Sequence, residues 1–198
     1  MIQSKSDLVE YLEADKRELG RRSKHPGFFD FVWKFEICMR KREYYLNCAK
    51  NPLWGVVKMY LSLKYQILSV LCGFTIPLNS FGKGLSIAHR GTIVVNGGAQ
   101  IGNNCRLHVG VNIGTAPGLD NAAPIIGNDV YIAPGVKIYG RIHISDGIIV
   151  GANAVVTKSF DEPNICIAGV PAQKISDNGR YEVEERNRRI FPECIRND

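Results

Sequence analysis

Aliphatic residues recur at every sixth position through the middle of the chain. The set comprises Ile101, Leu107, Ile113, Ile126, Ile132, Ile138, Ile144, Val150 and Val156. A fixed internal period is typical of repeated units that stack on one another and share a continuous core. Six residues are too few for a helical repeat, so the pattern predicts short extended segments joined by tight corners, three to each triangular coil. Residues about eighteen apart then stack at roughly the 4.8 Å spacing of neighbouring strands.

The repeat is interrupted once and ends gradually. The stretch 116–125 stands where a new hexad is due, so we expect it to leave the prism as a loop. Loops on a rigid scaffold are common places for binding residues. After Val156 the period fades, and the segment 160–175 is predicted to close the last coil. An ordinary β-sandwich is the alternative architecture, but period-two alternation would not place the aliphatic residues at these positions.

Three stretches before the repeat carry apolar residues at helical spacing. They predict helices over about 4–20, 28–48 and 53–71. Ser6 is a candidate cap for the first helix. The Pro-Gly pair at 26–27 separates the first helix from the second.

The third predicted helix is strongly apolar. Lys58 and Lys64 interrupt it, and no uninterrupted apolar run reaches the ~18 residues that are needed to span a bilayer. Two interpretations stay open. The helix packs on the repeat and on symmetry-related copies, or it lies on a membrane surface as a basic amphipathic helix.

These patterns divide the chain into three parts. We predict a helical region at 1–72, a β-helical domain at 73–175 and a charged tail at 176–198, in which 182–189 forms one or two helical turns. A length of 198 residues suits one good-sized domain with a small appendage.

Composition adds limits on partners and location. The chain has a formal charge of +6 and six cysteines, none of them in a CxxC pair. The polar, acidic start predicts no secretion signal, and so a cytoplasmic protein with reduced thiols and no zinc cluster. Basic residues are not interleaved with stacking aromatics in the repeat, which argues against nucleic acid. The positive charge either attracts a polyanionic cofactor or is simply a solvated surface.

Several motifs make the repeat region similar to a known family. These are GLSIAHRGTIVV at 84–95, LHVGVNIGT at 107–115, APIIGNDVYIAPGVKIYG at 123–140, IIVGANAVV at 148–156 and AGVPAQKI at 168–175. They resemble the hexapeptide-repeat acyltransferases, and more closely the serine acetyltransferase-like branch with its polysaccharide O-acetyltransferase members. The resemblance implies a mainly β fold, a left-handed parallel β-helix with a small N-terminal α-helical region. It also implies acetyl-CoA as co-substrate, no metal, and a homotrimer with active sites between subunits.

Two histidines are the candidate catalytic residues. His89 occupies the position of the family's general base, and His108 matches a histidine of the polysaccharide-modifying members. The period places them on the same side of the prism, one coil apart. Neutral imidazole, with an ordinary pKa of about 6.5, can take a proton from an acceptor hydroxyl at cytoplasmic pH. Cys105 stands where a hexad needs an inward apolar side chain, so no covalent acyl-enzyme is expected.

The resemblance also suggests where the co-substrate and the acceptor bind. Ala133, Gly151 and Ala152 would lie beside the pantetheine arm of acetyl-CoA. Near its phosphates would be Lys158, Pro171 and Lys174. In the interrupting loop, Asp120 and Asn121 are candidate contacts of the acceptor.

Departures from the family pattern concern the acceptor. Serine acetyltransferases have an Asp directly before the base and another about fifteen residues upstream, where this chain has Ala88 and Phe74. Their second, acceptor-binding histidine precedes a proline, and here that residue is Ala123. A zwitterion such as serine needs charged partners, whereas a sugar does not. The residues therefore favour a sugar of a surface polysaccharide as acceptor.

Three alternatives remain at this point. L-serine, as in cysteine biosynthesis, is the second acceptor. A non-catalytic β-helix scaffold is a functional alternative that is not an enzyme. A β-helical carbonic anhydrase needs three zinc-binding histidines, two of them close in sequence, and no such close pair exists here.

Overall fold

A computed structural model describes residues 1–116, 118 and 122–190. The N-terminal helices are α1 (Lys5–Glu18), α2 (Phe31–Asn47) and α3 (Gly55–Cys72), the last preceded by a 3-10 turn at Pro52–Trp54. The predicted helices are confirmed, but their starts differ. Ser4, not Ser6, caps α1 by accepting the amide of Asp7 at 3.0 Å.

Fourteen short strands follow in the described part of the chain. They are β1 (Phe74–Thr75), β2 (Ser86–Ile87), β3 (Ile93–Val95), β4 (Gln100–Ile101), β5 (Arg106–Leu107), β6 (Asn112–Gly114), β7 (Ile125–Ile126), β8 (Tyr131–Ile132), β9 (Lys137–Tyr139), β10 (His143–Ile144), β11 (Ile149–Val150), β12 (Val155–Val156), β13 (Cys166–Ala168) and β14 (Gln173–Ser176). All of them pair in parallel except β13 with β14.

The strands form three faces of a prism. The first face is β1-β3-β6-β9-β12, the second β4-β7-β10, and the third β2-β5-β8-β11-β13-β14. In a regular coil the aligned residues are eighteen apart, as Ile126 and Ile144 are. The aliphatic residue of each hexad points inward: Leu107, Ile132 and Val150 are all fully buried. The six-residue period therefore predicts both the strands and the core.

The repeat has two irregular parts. The interruption stands between β6 of the first face and β7 of the second, and the regular coils continue after it. The segment predicted to close the last coil contributes β13, which pairs in parallel with β11, and β14, which turns back and pairs antiparallel with β13. Beyond it, α4 (Arg180–Ile190) has eleven residues rather than one or two turns. Its buried Arg180 donates to the carbonyl of Asn104.

The helices close the open end of the first coil. Asp15 of α1 accepts the amides of Gly84 and Leu85 at 2.8 and 2.9 Å, and Glu36 of α2 accepts the amide of Ile87 at 3.1 Å. Strand β2 is the edge of the third face, so these amides would otherwise lack strand partners. These two acidic side chains thus replace a missing coil.

Helix α3 has two apolar sides. Leu61, Tyr65, Leu68 and Cys72 are buried against the rest of the core, whereas a second row of large apolar side chains is exposed. No helix in the described ranges combines the length and the apolar character that crossing a bilayer requires.

Candidate active site

The candidate site lies along one corner of the prism, where the third face passes to the first. Because Ile87, Leu107, Ile132, Val150 and Ile167 are aligned across the third face, the residue after each of them is aligned too. We call this set the corner column: Ala88, His108, Ala133, Gly151 and Ala168. Three of its members, His108, Ala133 and Gly151, are predicted site residues. At the strand spacing, His108 and Gly151 lie about 10 Å apart along the prism.

His89 follows Ala88, at the end of the column nearest the helices. Its side chain is exposed, and it lies one coil below His108, as the period predicts. The next residues tie this corner to the helical region, because the amide of Gly91 donates to the carbonyl of Cys72 at 2.9 Å. No carboxylate in the described part of the chain hydrogen-bonds the His89 ring. Phe74, where the family has an Asp, is buried against Phe35.

His108 is partly buried, and its ring has an open hydrogen-bonding position. The ring packs on Tyr131, with 5.0 Å between centroids, and its Nε2 atom is buried without a partner. Burial lowers the pKa of His108, and its electrostatic interactions with Arg106 and with His89 lower it further. The ring is therefore neutral at physiological pH. A buried ring nitrogen without a partner is costly unless a ligand or a water satisfies it, which makes His108 a candidate ligand contact.

Two residues beside the histidines were missed by the sequence reasoning. Tyr131 and Arg106 are aligned neighbours on the third face, and Arg106 Nη1 donates to Ser86 Oγ at 3.1 Å. Both stand one position before an inward aliphatic residue, so the period identified them as outward-facing. It gave no sign of the packing of Tyr131 on His108, which arises only when coils on either side of the loop stack.

The residues predicted to lie beside the pantetheine arm occupy adjacent coils. The amides of Ala133 and Gly151 donate to the carbonyls of Val150 and Ile167, so these two amides are used within the sheet. A Cβ atom on Gly151 would lie 2.8 Å from the Cβ of Ala168. Glycine at 151 therefore keeps the corner column free of a side chain at this position. Ala152 is exposed beside it.

The residues predicted near the phosphates lie at the last coil. Lys158 Nζ donates to Gln173 Oε1 at 2.9 Å, and Pro171 is exposed and follows a cis peptide bond. Lys174 contacts the carboxylates of Asp177 and Glu162, which raise the pKa of its ammonium group. A phosphate at Lys174 would therefore compete with two carboxylates already in place.

The predicted acceptor contacts Asp120 and Asn121 lie outside the described residues. A cysteine nucleophile is disfavoured, because Cys105 is fully buried and burial raises the pKa of its thiol to about 12. The described residues contain no group of three or more His, Cys, Asp or Glu side chains that could hold a metal ion.

Comparison with known proteins relates this geometry to named enzymes. No family model matches the chain. A serine acetyltransferase of Buchnera aphidicola is 31% identical over 143 residues, which are 70% of this chain and 52% of that protein. A serine acetyltransferase of Staphylococcus aureus is 32% identical over 147 residues, covering 70% of this chain and 68% of that protein. The chain thus spans about half of the first relative and two thirds of the second.

A solved structure agrees with the sequence matches. A soybean serine acetyltransferase complexed with serine superimposes with a TM-score of 0.65 and 26% identity, covering 86% of this chain and 70% of that one. The match confirms the predicted fold, a left-handed parallel β-helix with a small N-terminal helical region.

Proposed function

Because the chain belongs to the serine acetyltransferase family of acetyl-CoA-dependent acyltransferases, we propose that it transfers an acetyl group to the hydroxyl of L-serine. The observation that supports L-serine as the acceptor is the 32% identity with a serine acetyltransferase over 70% of the chain. The sequence reasoning put a sugar first and L-serine second, and the comparisons reverse that order.

His89 is the general base of the proposed reaction. Its imidazole takes the proton of the acceptor hydroxyl while the oxygen forms a bond to the carbonyl carbon of acetyl-CoA. The tetrahedral intermediate then collapses, the carbon–sulfur bond breaks, and the thiolate of CoA takes the proton from the imidazolium. Such a base contributes typically 10²–10⁴-fold to the rate. The exposure of His89 at the end of the column leaves its ring accessible to an acceptor.

His108 binds beside the reacting atoms rather than replacing the base. Its lowered pKa keeps the ring neutral, and its buried Nε2 atom is open for a hydrogen bond. A hydrogen bond to the acceptor or to the tetrahedral oxygen would satisfy that atom. Acetyl-CoA would extend from this point along the corner column, past Ala133, Gly151 and Ala152. Its phosphates would reach the last coil at Lys158, Pro171 and Lys174.

A homotrimer would complete the site. The described ends of the loop, Ala116 and Ala122, lie at the corner between the first and second faces, whereas His89 and His108 lie at another corner. Within one chain the first face separates them. Side chains of the loop, including the proposed acceptor contacts Asp120 and Asn121, can then serve the histidines of a neighbouring subunit. Sedimentation equilibrium tests this assembly, with three times the chain mass as the expected result.

A sugar hydroxyl of a surface polysaccharide is the second candidate acceptor. The observation that favours it is the absence of the family's charged residues, with Ala88, Phe74 and Ala123 in their positions. A bound amino acid needs partners for its ammonium and carboxylate groups.

Thiol release from acetyl-CoA by the full chain tests both acceptors. The assay uses L-serine in one arm and a panel of hexoses and amino sugars in the other, with His89→Ala as the inactive control. Serine-dependent release at ordinary enzyme rates is the expected result. Sugar-dependent release without a serine response would replace the first acceptor by the second. No release with any acceptor, and no binding of CoA, would support a non-catalytic scaffold instead.

A further inference from the structure

The outer side of α3 carries an unusually complete apolar stripe. At about 100° per residue, its exposed large apolar side chains fall within an arc of about 120° on the helix. We call them the outer stripe: Val56, Met59, Tyr60, Leu63, Ile67, Val70 and Leu71. The stripe is separate from the buried side of the helix, and its exposure is high: Val70 is 81% and Val56 72% exposed. A contiguous exposed apolar surface of this kind marks an interaction site.

The positive charge of the chain is concentrated in the part of the sequence that contains this stripe. Between residues 19 and 72 there are ten Lys and Arg but three Asp and Glu, a net charge of +7, against +6 for the whole chain. The acidic groups do little to offset this charge at the surface. Glu36 and Glu43 are buried, as is one of the ten basic residues, Arg40, and Asp30 is paired with Arg21 at 3.0 Å.

Exposed apolar and basic groups are also interleaved elsewhere in the helical region. Before α3, Leu53 and Trp54 are exposed, and Lys50 is exposed nearby. Just before α2, the exposed Phe28 has the ammonium of Lys34 at 5.3 Å from its ring centroid. Aromatic rings and lysines of this kind are typical of helices that lie at a lipid–water interface.

The geometry points to an anionic bilayer surface as the occupant of the outer stripe, with α3 lying in the plane of the interface. A second copy of the chain in a two-fold contact is less well matched, because such a contact would bring two segments of charge +7 together. Anionic headgroups would instead neutralise that charge while the stripe enters the acyl boundary.

Docking would hold the candidate site close to the membrane. The carbonyl of Cys72, the last residue of α3, accepts the amide of Gly91, two residues beyond His89. Arg90 lies over the ring of Phe31 at 5.7 Å, so the helical region and the His89 corner form one surface. This inference does not depend on which hydroxyl compound is the acceptor.

Vesicle co-sedimentation of the full chain tests the inference. One set of vesicles contains phosphatidylglycerol and phosphatidylcholine in equal parts, and the other contains phosphatidylcholine alone. The double variant Leu63→Ser/Ile67→Ser removes the centre of the stripe. The control Val9→Ser/Gln66→Ser also places two serines in exposed helical positions, outside the stripe.

We expect the native chain and the control to bind anionic vesicles, and added salt to weaken the binding. The stripe variant should bind them about tenfold more weakly or worse, because two apolar side chains that would enter the bilayer are lost. Equal binding to neutral vesicles, or equal binding by the stripe and control variants, would overturn the inference. A native chain that left the anionic vesicles unbound would also overturn it. If the stripe variant then lowered the assembly mass, the stripe would be a contact between copies of the chain.

Discussion

Arg40 of α2 and Asp15 of α1 form a buried ion pair, with 2.7 Å between Arg40 Nε and Asp15 Oδ2. Arg40 also donates to Glu43 and to the carbonyls of Phe81 and Gly82. The pair therefore joins two helices to the open end of the first coil. Removing one partner of a buried pair leaves an uncompensated charge.

Replacing Arg40 should destabilise the protein strongly. We expect Arg40→Met to lower the free energy of unfolding by about 3–5 kcal/mol, because Asp15 and Glu43 would keep their buried charges without a cation. Urea unfolding measures the loss. Lys41→Met is the control, since Lys41 is exposed on the same helix. A loss below about 1 kcal/mol in Arg40→Met would show that the carboxylates find other partners.

Glu36 should make stability depend on pH. Burial raises the pKa of this carboxyl well above its ordinary value of 4.5, and its Oε2 atom has no partner in the described part of the chain. The folded state therefore keeps a proton that the unfolded state releases. Its favourable contribution is present below pH 4.5 and is lost as the pH rises towards the raised folded pKa.

The matched variant isolates this effect. Glu36→Gln cannot ionise, so its stability relative to the native chain should increase between about pH 5 and pH 8. Urea unfolding at both pH values gives the difference, and Glu10→Gln, at an exposed position of α1, should show no such trend. A difference that stays constant with pH would mean that Glu36 ionises normally in the folded protein.

The six-residue aliphatic period was sufficient to predict the main features of this fold. Ile132, Val150 and the other inward residues identify strands, coil length and core, and the same register places His89 and His108 one coil apart. The network of Asp15, Glu36 and Arg40 could not be predicted. Charged residues on amphipathic helices are usually solvated. The backbone groups that hydrogen-bond these side chains lie dozens of residues away in the sequence.

His89→Ala should abolish most of the turnover. We expect kcat/KM for thiol release to fall by about 10²–10⁴-fold, because the acceptor hydroxyl would lose its base. His143→Ala is the control. That histidine is exposed, pairs with Asp161 at 2.7 Å and lies on the second face, away from the corner column. Turnover of His89→Ala within threefold of the native rate would rule out the proposed mechanism.

His108 should matter less than His89 and in a different way. Loss of one hydrogen bond to a charged transition state costs about 1.5–3 kcal/mol, so His108→Ala should lower kcat by roughly 10–100-fold. Tyr131→Phe keeps the ring that packs on His108 and should retain nearly native turnover. An unchanged kcat in His108→Ala would remove His108 from the reacting centre and leave it a packing role.

Gly151 gives the most direct test of where acetyl-CoA binds. A Cβ atom there would meet the Cβ of Ala168 at 2.8 Å and fill the corner column between coils. We expect Gly151→Ala to raise the KM for acetyl-CoA by about tenfold, equivalent to about 1.4 kcal/mol of binding, while the KM for the acceptor changes little. Gly97→Ala is the control, because a Cβ at Gly97 meets nothing within 4 Å. Thermal unfolding separates this effect from simple destabilisation. A stable Gly151→Ala protein with a native KM for acetyl-CoA would place the co-substrate away from the column.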